Sequence, residues 1–277
     1  MEYRELGKTG LKVSALGFGA SPLGSVFREI DESEGIRTVH TAIDLGINFM
    51  DVSPYYGITK AETVLGKALK DLSRDDYILA TKVGRYDEDG FDFSAERVIK
   101  SVDESLGRLQ VDHIDVIQCH DIEFGSLDRV VEETLPALER IREQGKVRYI
   151  GITGLPLKIF SYVLDRAEAD TILSYCRYSL NDSSLKTLIP YLQEKGVGVI
   201  SASPLSMGLL TERGAPDWHP APQDVQDACD KATALCRRQG TDISKLALQF
   251  SVSNQDIATT LVGTANPENI KKNAAWI

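Results

Sequence analysis

YILATK (residues 77–82), then, after a loop, AERVIKSVDESLGRLQVDHIDVIQCH (residues 95–120), is the stretch that decides the fold. The first run has the aromatic and β-branched character of a buried strand. Ser94 is an N-cap candidate, and Val98, Val102, Leu106 and Leu109 recur at helical spacing up to about Gln110. HIDVIQCH (113–120) returns to strand. A strand, a helix and a second strand form a βαβ unit, in which the helix carries the chain back so that the strands run parallel.

The unit repeats in both directions along the chain. Upstream, ALGFG (15–19) is a strand, and Ser33 and Glu34 open a helix with Ile36, Val39 and Ile43 on one face, ended by Gly46. INFMDV (47–52) is a strand and AETVLGKALK (61–70) a helix. Downstream, Leu127 to Gln144 reads as a helix stopped by Gly145, and VRYIGI as a strand. Pro156 to about Ala167 is a helix and TILSYC a strand. Leu185 to Lys195 is a helix with Gly196 as its stop, and VGVISAS a strand. Helices at about Gln226–Arg238 and Ser244–Ser251 precede the strand TTLVG, and Pro267 opens a last helix. Eight strands separated by helices in about 250 residues predict a closed (β/α)8 barrel, a TIM barrel of α/β class. The rival, a doubly wound open sheet, needs a GxGxxG in its first βα turn; GFGASPLG offers only GxG with a proline close behind. Ahead of the first unit, YREL, GKTG and LKVS spell a β-hairpin with a four-residue turn. No boundary interrupts residues 1–277, which are expected to form a single domain. The Gly- and Pro-rich stretch Pro204–Pro222 reads as a long functional loop.

Composition narrows the function classes. The 277 residues carry 31 basic against 41 acidic side chains, a net charge of −10, so the basic footprint of a nucleic-acid or anionic-membrane binder is missing. No segment is apolar enough to span a membrane, and MEYRELGKTG has no signal-peptide core, which predicts a cytoplasmic protein. Cys119, Cys176, Cys229 and Cys236 form no CxxC pair and are expected as reduced thiols; no metal site is predicted.

Barrel enzymes place their chemistry at the C-terminal ends of strands. Asp51 ends the second barrel strand, with Tyr56 in the loop after it. Lys82 ends the third and His120 the fourth. Each alone has a plain structural reading as a cap, a solvated terminus or a packed ring. Together they suit proton transfer at a carbonyl or alcohol oxygen: a lysine, oriented by a carboxylate, lowers the pKa of the tyrosine, and histidine orients the oxygen. With a nicotinamide nearby, such a site performs hydride transfer. Cys119 precedes His120 and so faces the helices, while His40 and His113 read as structural. Asp121 either accepts from substrate hydroxyls or caps the next element.

RELGKTGLKVSALGFGASPLG, GINFMDVSPYYG, ATKVG, SVDESLGRLQVDHIDVIQCHD and GVGVISASPLSMGLLT together resemble the aldo-keto reductase family, from about residue 3 to 277. The resemblance implies a (β/α)8 barrel whose N-terminal hairpin plugs the base, with Asp51, Tyr56, Lys82 and His120 as catalytic tetrad. GFGASPLGSVF, HDIEFGSLD, GITGLP, ILSYCRYSLND and SPLSMGLLTERGAPDWHPA look most like members that oxidise L-galactose at C1 to the galactonolactone with NAD, in ascorbate synthesis. Aldose 1-dehydrogenases acting on sugars such as L-fucose, a carbonyl reductase, and a nucleotide-binding regulatory subunit are the alternatives. The expected partner is a small sugar, met by a monomer or weak homodimer.

The resemblance also places cofactor contacts at Thr153, Tyr175, Ser203, Leu205, Gly208, Gly263, Thr264, Asn269 and Asn273, and substrate contacts at Tyr56, His120 and Asp121. The family's nicotinamide-stacking tyrosine on the seventh strand is replaced by Ala202, while the sixth strand carries Tyr175, which either takes over the stacking or packs in the core. Where NADP-preferring members place a cation, this chain has Ala265, which predicts NAD; Lys271 and Lys272 are read as solvated. Cys176 lies toward the cofactor, with weak grounds for redox sensitivity. Trp218 and His219 are expected to anchor their loop. Family members continue past the last helix into a loop over the substrate; here the sequence reaches Ile277, which predicts an exposed Trp276.

Overall fold

The computed structural model describes residues 1–26 and 28–277; Phe27, the last residue of the GFGASPLGSVF stretch, lies outside the described residues. The chain opens with an antiparallel hairpin, β1 (Tyr3–Glu5) and β2 (Lys12–Ser14). Eight parallel strands follow: β3 (Leu16–Gly19), β4 (Phe49–Asp51), β5 (Ile78–Val83), β6 (Ile114–Cys119), β7 (Val147–Gly154), β8 (Thr171–Tyr175), β9 (Gly198–Ala202) and β10 (Thr259–Gly263). They pair in chain order, and β10 closes on β3. The barrel and its hairpin are those expected from the sequence.

The period of two along each strand sorts residues into two layers. Phe49, Ala80, Val116, Leu173, Ile200 and Leu261 point inward and meet Leu6, Leu11 and Val13 of the hairpin, which seals the base. Ile117, Cys119, Ile150 and Ile152 point outward onto the helices. The hairpin connection is longer than the four-residue turn expected, running from residue 6 to 11 with a 3-10 turn at Gly7–Thr9. The reason is packing: Leu6 and Leu11 leave the two-stranded ladder to enter the barrel. Arg4 locks the plug by donating to the carbonyls of Val252, Asn254 and Ile257.

The helices are α1 (Glu32–Asp44), α2 (Lys60–Leu69), α3 (Ala95–Leu109), α4 (Leu127–Arg129), α5 (Leu135–Glu143), α6 (Lys158–Leu164), α7 (Ile189–Lys195), α8 (Gln223–Arg238), α9 (Ile243–Ser253) and α10 (Pro267–Ala275). Ser94 caps α3 as expected, accepting from Arg97 N. The cap of α1 is Asp31. Proline accounts for most departures. Pro136 has no N–H to give, so the helix expected from Leu127 is interrupted by a π turn at Val130–Thr134. Pro190 likewise splits the helix expected from Leu185 into a 3-10 turn at Ser184–Thr187 and α7. Pro156 sits in the turn before α6. Pro222, at the N-cap, starts α8 three residues before Gln226. Trp276 is half-buried against the α1 and α2 side of the core, with Lys272 Nζ 4.5 Å from its ring centre, so it is not the exposed residue expected.

Candidate active site

β4, β5 and β6 end on one rim, and inward alternation aims Asp51, Lys82 and His120 at a single point. Lys82 Nζ lies 2.5 Å from Asp51 Oδ1 and donates to Val52 O at 2.8 Å. Gln118 Nε2 holds the other Asp51 oxygen at 2.8 Å. Asp51, Lys82 and His120 are 3%, 1% and 4% exposed, so the Asp51–Lys82 charges are paired in a medium poor in water, where such contacts are strong. The loop after β4 brings Tyr56 over this pair, with Lys82 Nζ 4.8 Å from its ring centre and the His120 ring edge-on at 5.7 Å. The loop is held by a close approach of Gly24 and Gly57. Gly57 has φ +62°, and a Cβ there would strike Gly24 O at 2.0 Å. The structure thus brings all four tetrad residues together.

The electrostatics correct one expectation. Lys82 was expected to lower the pKa of Tyr56. Burial instead raises it, Asp51 and Asp121 add to the rise, and Lys82 offsets only part. For Lys82, burial favours the neutral amine, but Asp51 and Tyr56 outweigh it and the pKa rises. Burial, then Lys82 and Arg85, hold His120 well below the usual histidine range, so its ring is neutral.

Beyond His120, Asp121 is 4% exposed and has a left-handed backbone, φ +52°. Its Oδ2 accepts from Arg85 Nη1 at 2.6 Å, and Thr153 Oγ1 accepts from its N–H at 2.9 Å. Thr153 is thereby tied to Asp121. Burial raises the Asp121 carboxyl pKa against the pull of Arg85. Arg85 lies 3.8 Å from the Tyr55 ring centre and near the Phe91–Phe124 stack. Glu123 Oε1 accepts from Leu155 N at 2.8 Å, with Tyr175 OH 3.5 Å away.

Sequence reasoning missed Arg85, Gln118 and Glu123. Gln118 was within reach: it lies two residues before His120 and shares its face by alternation. Arg85 gave only the weak signal of one cation in the loop GRYDEDG.

The predicted cofactor contacts lie on the opposite half of the rim. Tyr175, in register with Ala202, packs against the barrel interior. Ser203 and Gly208 follow β9 with φ +59° and +103°, and Leu205 packs on the loop's own cluster. Gly263 ends β10 and Thr264 follows it, with Asn269 and Asn273 on α10. Asn266 caps the N-terminus of α10, where helix N–H groups favour an anion. Loops after the seventh and eighth barrel strands, glycines and a helix N-terminus make a donor set that fits a dinucleotide's phosphates. The fit favours the diphosphate without a further phosphate on the ribose. Ala265 is buried, Lys271 is bound to Glu268 at 2.8 Å, and Lys272 to Asp242 at 3.2 Å. His219 anchors the loop through Ser206 O and Ala221 N, while Trp218 is 60% exposed. Cys119 is buried against the helices and its thiol is pushed up to about 12; burial also raises Cys176, so neither resembles an activated thiolate. His40 bonds Ala68 O. Among the described residues no cluster could hold a metal, and no helix is long and apolar enough to cross a membrane.

A closed parallel barrel with this constellation at its C-terminal rim is the frame of a known class, and the chain belongs to the Aldo/keto reductase family, whose profile matches residues 15–277. Within it, the chain is 60% identical to L-galactose dehydrogenase of Arabidopsis thaliana over 282 residues, covering 100% of this chain and 88% of that one. D-arabinose 1-dehydrogenase of Saccharomyces cerevisiae is 30% identical, covering 94% of this chain and 81% of its own. Among solved structures, the holo form of an aldo-keto reductase from Bacillus halodurans superposes with a TM-score of 0.85 at 33% identity, covering 100% of this chain and 90% of that one.

Proposed function

We propose that this protein oxidises L-galactose at C1 to L-galactono-1,4-lactone with NAD, a step of ascorbate synthesis. The observation that carries the reading is the constellation of buried Asp51, Lys82 and His120 with the half-buried Tyr56 over them, in a chain 60% identical to L-galactose dehydrogenase. When bound, NAD supplies the acceptor for the hydride that leaves C1. Tyr56, as phenolate, takes the proton of the C1 hydroxyl while the C1–O bond becomes a carbonyl. Lys82, held by Asp51 and Val52 O, supplies the positive charge that favours the phenolate. His120, neutral, orients the reacting oxygen. Asp121, held by Arg85, faces the sugar hydroxyls, and Tyr175 offers the aromatic face for the nicotinamide in place of the residue at 202. NAD rather than NADP fits a rim whose nearby lysines are already paired. We place the protein in the cytoplasm as a monomer or weak homodimer; free Cys119, Cys176, Cys229 and Cys236 fit a reducing compartment.

The test is product identification. Purified protein is incubated with NAD and, separately, L-galactose, L-fucose, D-arabinose and D-galactose, and products are read by NMR. The galactonolactone, formed fastest from L-galactose, is expected. No lactone from any sugar, or turnover only of aldehydes with reduced cofactor, overturns the reading.

A further inference from the structure

We infer that Ser53 is a positioning residue that fixes the imidazole of His120 as the Nε2–H tautomer. Ser53 Oγ lies 3.0 Å from His120 Nδ1, and both residues are shut from solvent, at 0% and 4% exposure. The same oxygen accepts the backbone N–H of Tyr55 at 3.1 Å. With a lone pair taken by that N–H, its hydroxyl proton is free to be given to Nδ1.

The other side of the ring decides between the two arrangements that Nδ1 allows. His120 Nε2 faces Asp121 Oδ2 at 3.6 Å, and Arg85 keeps that carboxylate in place at 2.6 Å. A proton on Nδ1 would turn the Nε2 lone pair toward a carboxylate oxygen, a repulsive contact in a dry site. A proton on Nε2 turns an N–H toward it and leaves Nδ1 to accept from Ser53. Protonation of both nitrogens is opposed by burial and by Lys82 and Arg85. The ring plane is set by Tyr56 and Tyr55, packed edge-on at 5.7 and 6.0 Å. Ser53 and Asp121 therefore select the same tautomer from opposite sides.

The consequence for chemistry rests on the function proposed above. A His120 that presents only a donor to the mouth cannot take the proton of the reacting hydroxyl, which is left for Tyr56. An alanine at 53 would remove one of the two contacts that favour this tautomer and leave Nδ1 without its donor.

The test is 15N NMR of ring-labelled protein, with the His120 signals assigned by His120→Asn. In the wild-type protein at neutral pH, the nitrogen coupled to both ring C–H protons, Nε2, is expected to be protonated and Nδ1 to show a hydrogen-bonded acceptor shift. In Ser53→Ala the Nδ1 signal should move toward that of a mixed-tautomer ring. The kcat for sugar oxidation should fall about fivefold to tenfold, the size of one lost hydrogen bond, with the KM for NAD unchanged. A proton on Nδ1 in the wild type overturns the proposal, and needs no variant to fold. So does a Ser53→Ala spectrum identical to the wild type. A tautomer change with unchanged turnover would uphold the assignment and count against His120 touching the reacting oxygen.

Discussion

Lys82 Nζ and Asp51 Oδ1 stand 2.5 Å apart at the end of two neighbouring strands, both side chains all but closed to water. A buried ion pair of this kind is weak evidence for stability, because desolvation offsets the attraction. Its value here is position: the pair puts a fixed positive charge under Tyr56.

Breaking the pair from one side should be costly in two separable ways. Lys82→Met leaves Asp51 buried with only Gln118, and should cost about 3–5 kcal/mol in urea denaturation and remove nearly all turnover. The double variant Lys82→Met/Asp51→Leu should recover much of the stability and none of the activity. Recovery of activity in the double variant would contradict the role given to Lys82.

The pH profile follows from directions already stated. Tyr56 lies above the ordinary tyrosine value, so its phenolate grows with pH, and kcat/KM for oxidation should climb between about pH 7 and pH 10 without reaching a plateau at neutrality. His120, held well below its ordinary value, should contribute no ionisation in that range. Tyr56→Phe should flatten the profile and lower the rate by about 10²–10⁴-fold.

Cofactor choice should be switchable at the turn after β10. Ala265→Arg places a guanidinium where Lys271 and Lys272 are already engaged, and should improve NADP binding relative to NAD by about tenfold, measured by fluorescence titration of both cofactors. An unchanged ratio would show that the ribose lies elsewhere.

At the opposite end of β6, Asp115 is 1% exposed and accepts from Arg74, Arg148 and Leu79 N at 2.6, 2.8 and 2.8 Å. It lies at the base of the barrel, where side chains serve stability. Asp115→Ala should cost about 1–3 kcal/mol, since it leaves the buried Leu79 N–H without its acceptor and takes the carboxylate away from Arg74 and Arg148. The KM for sugar and NAD should not change.

The barrel was legible because period-two runs such as HIDVIQCH and helical runs such as Ala95–Leu109 agree with their caps and stops. What was not legible arose from tertiary competition. Leu6 and Leu11 look like hairpin residues but are taken by the barrel floor. Pro136 and Pro190 break helices whose apolar spacing continues through them. In the site, Asp51, Lys82 and His120 could be read from strand ends, whereas Arg85 and Glu123 depend on loop paths that no periodicity records. The Tyr56 shift was misjudged because charge is visible in a sequence and burial at a rim is not.

The central claim is hydride loss from C1 with proton loss to Tyr56, and L-galactose deuterated at C1 tests it most directly. The account predicts that NADH formed by the wild-type protein carries the deuterium, by mass spectrometry, and that Tyr56→Phe nearly abolishes the transfer. Unlabelled NADH, or full transfer in Tyr56→Phe, would contradict it.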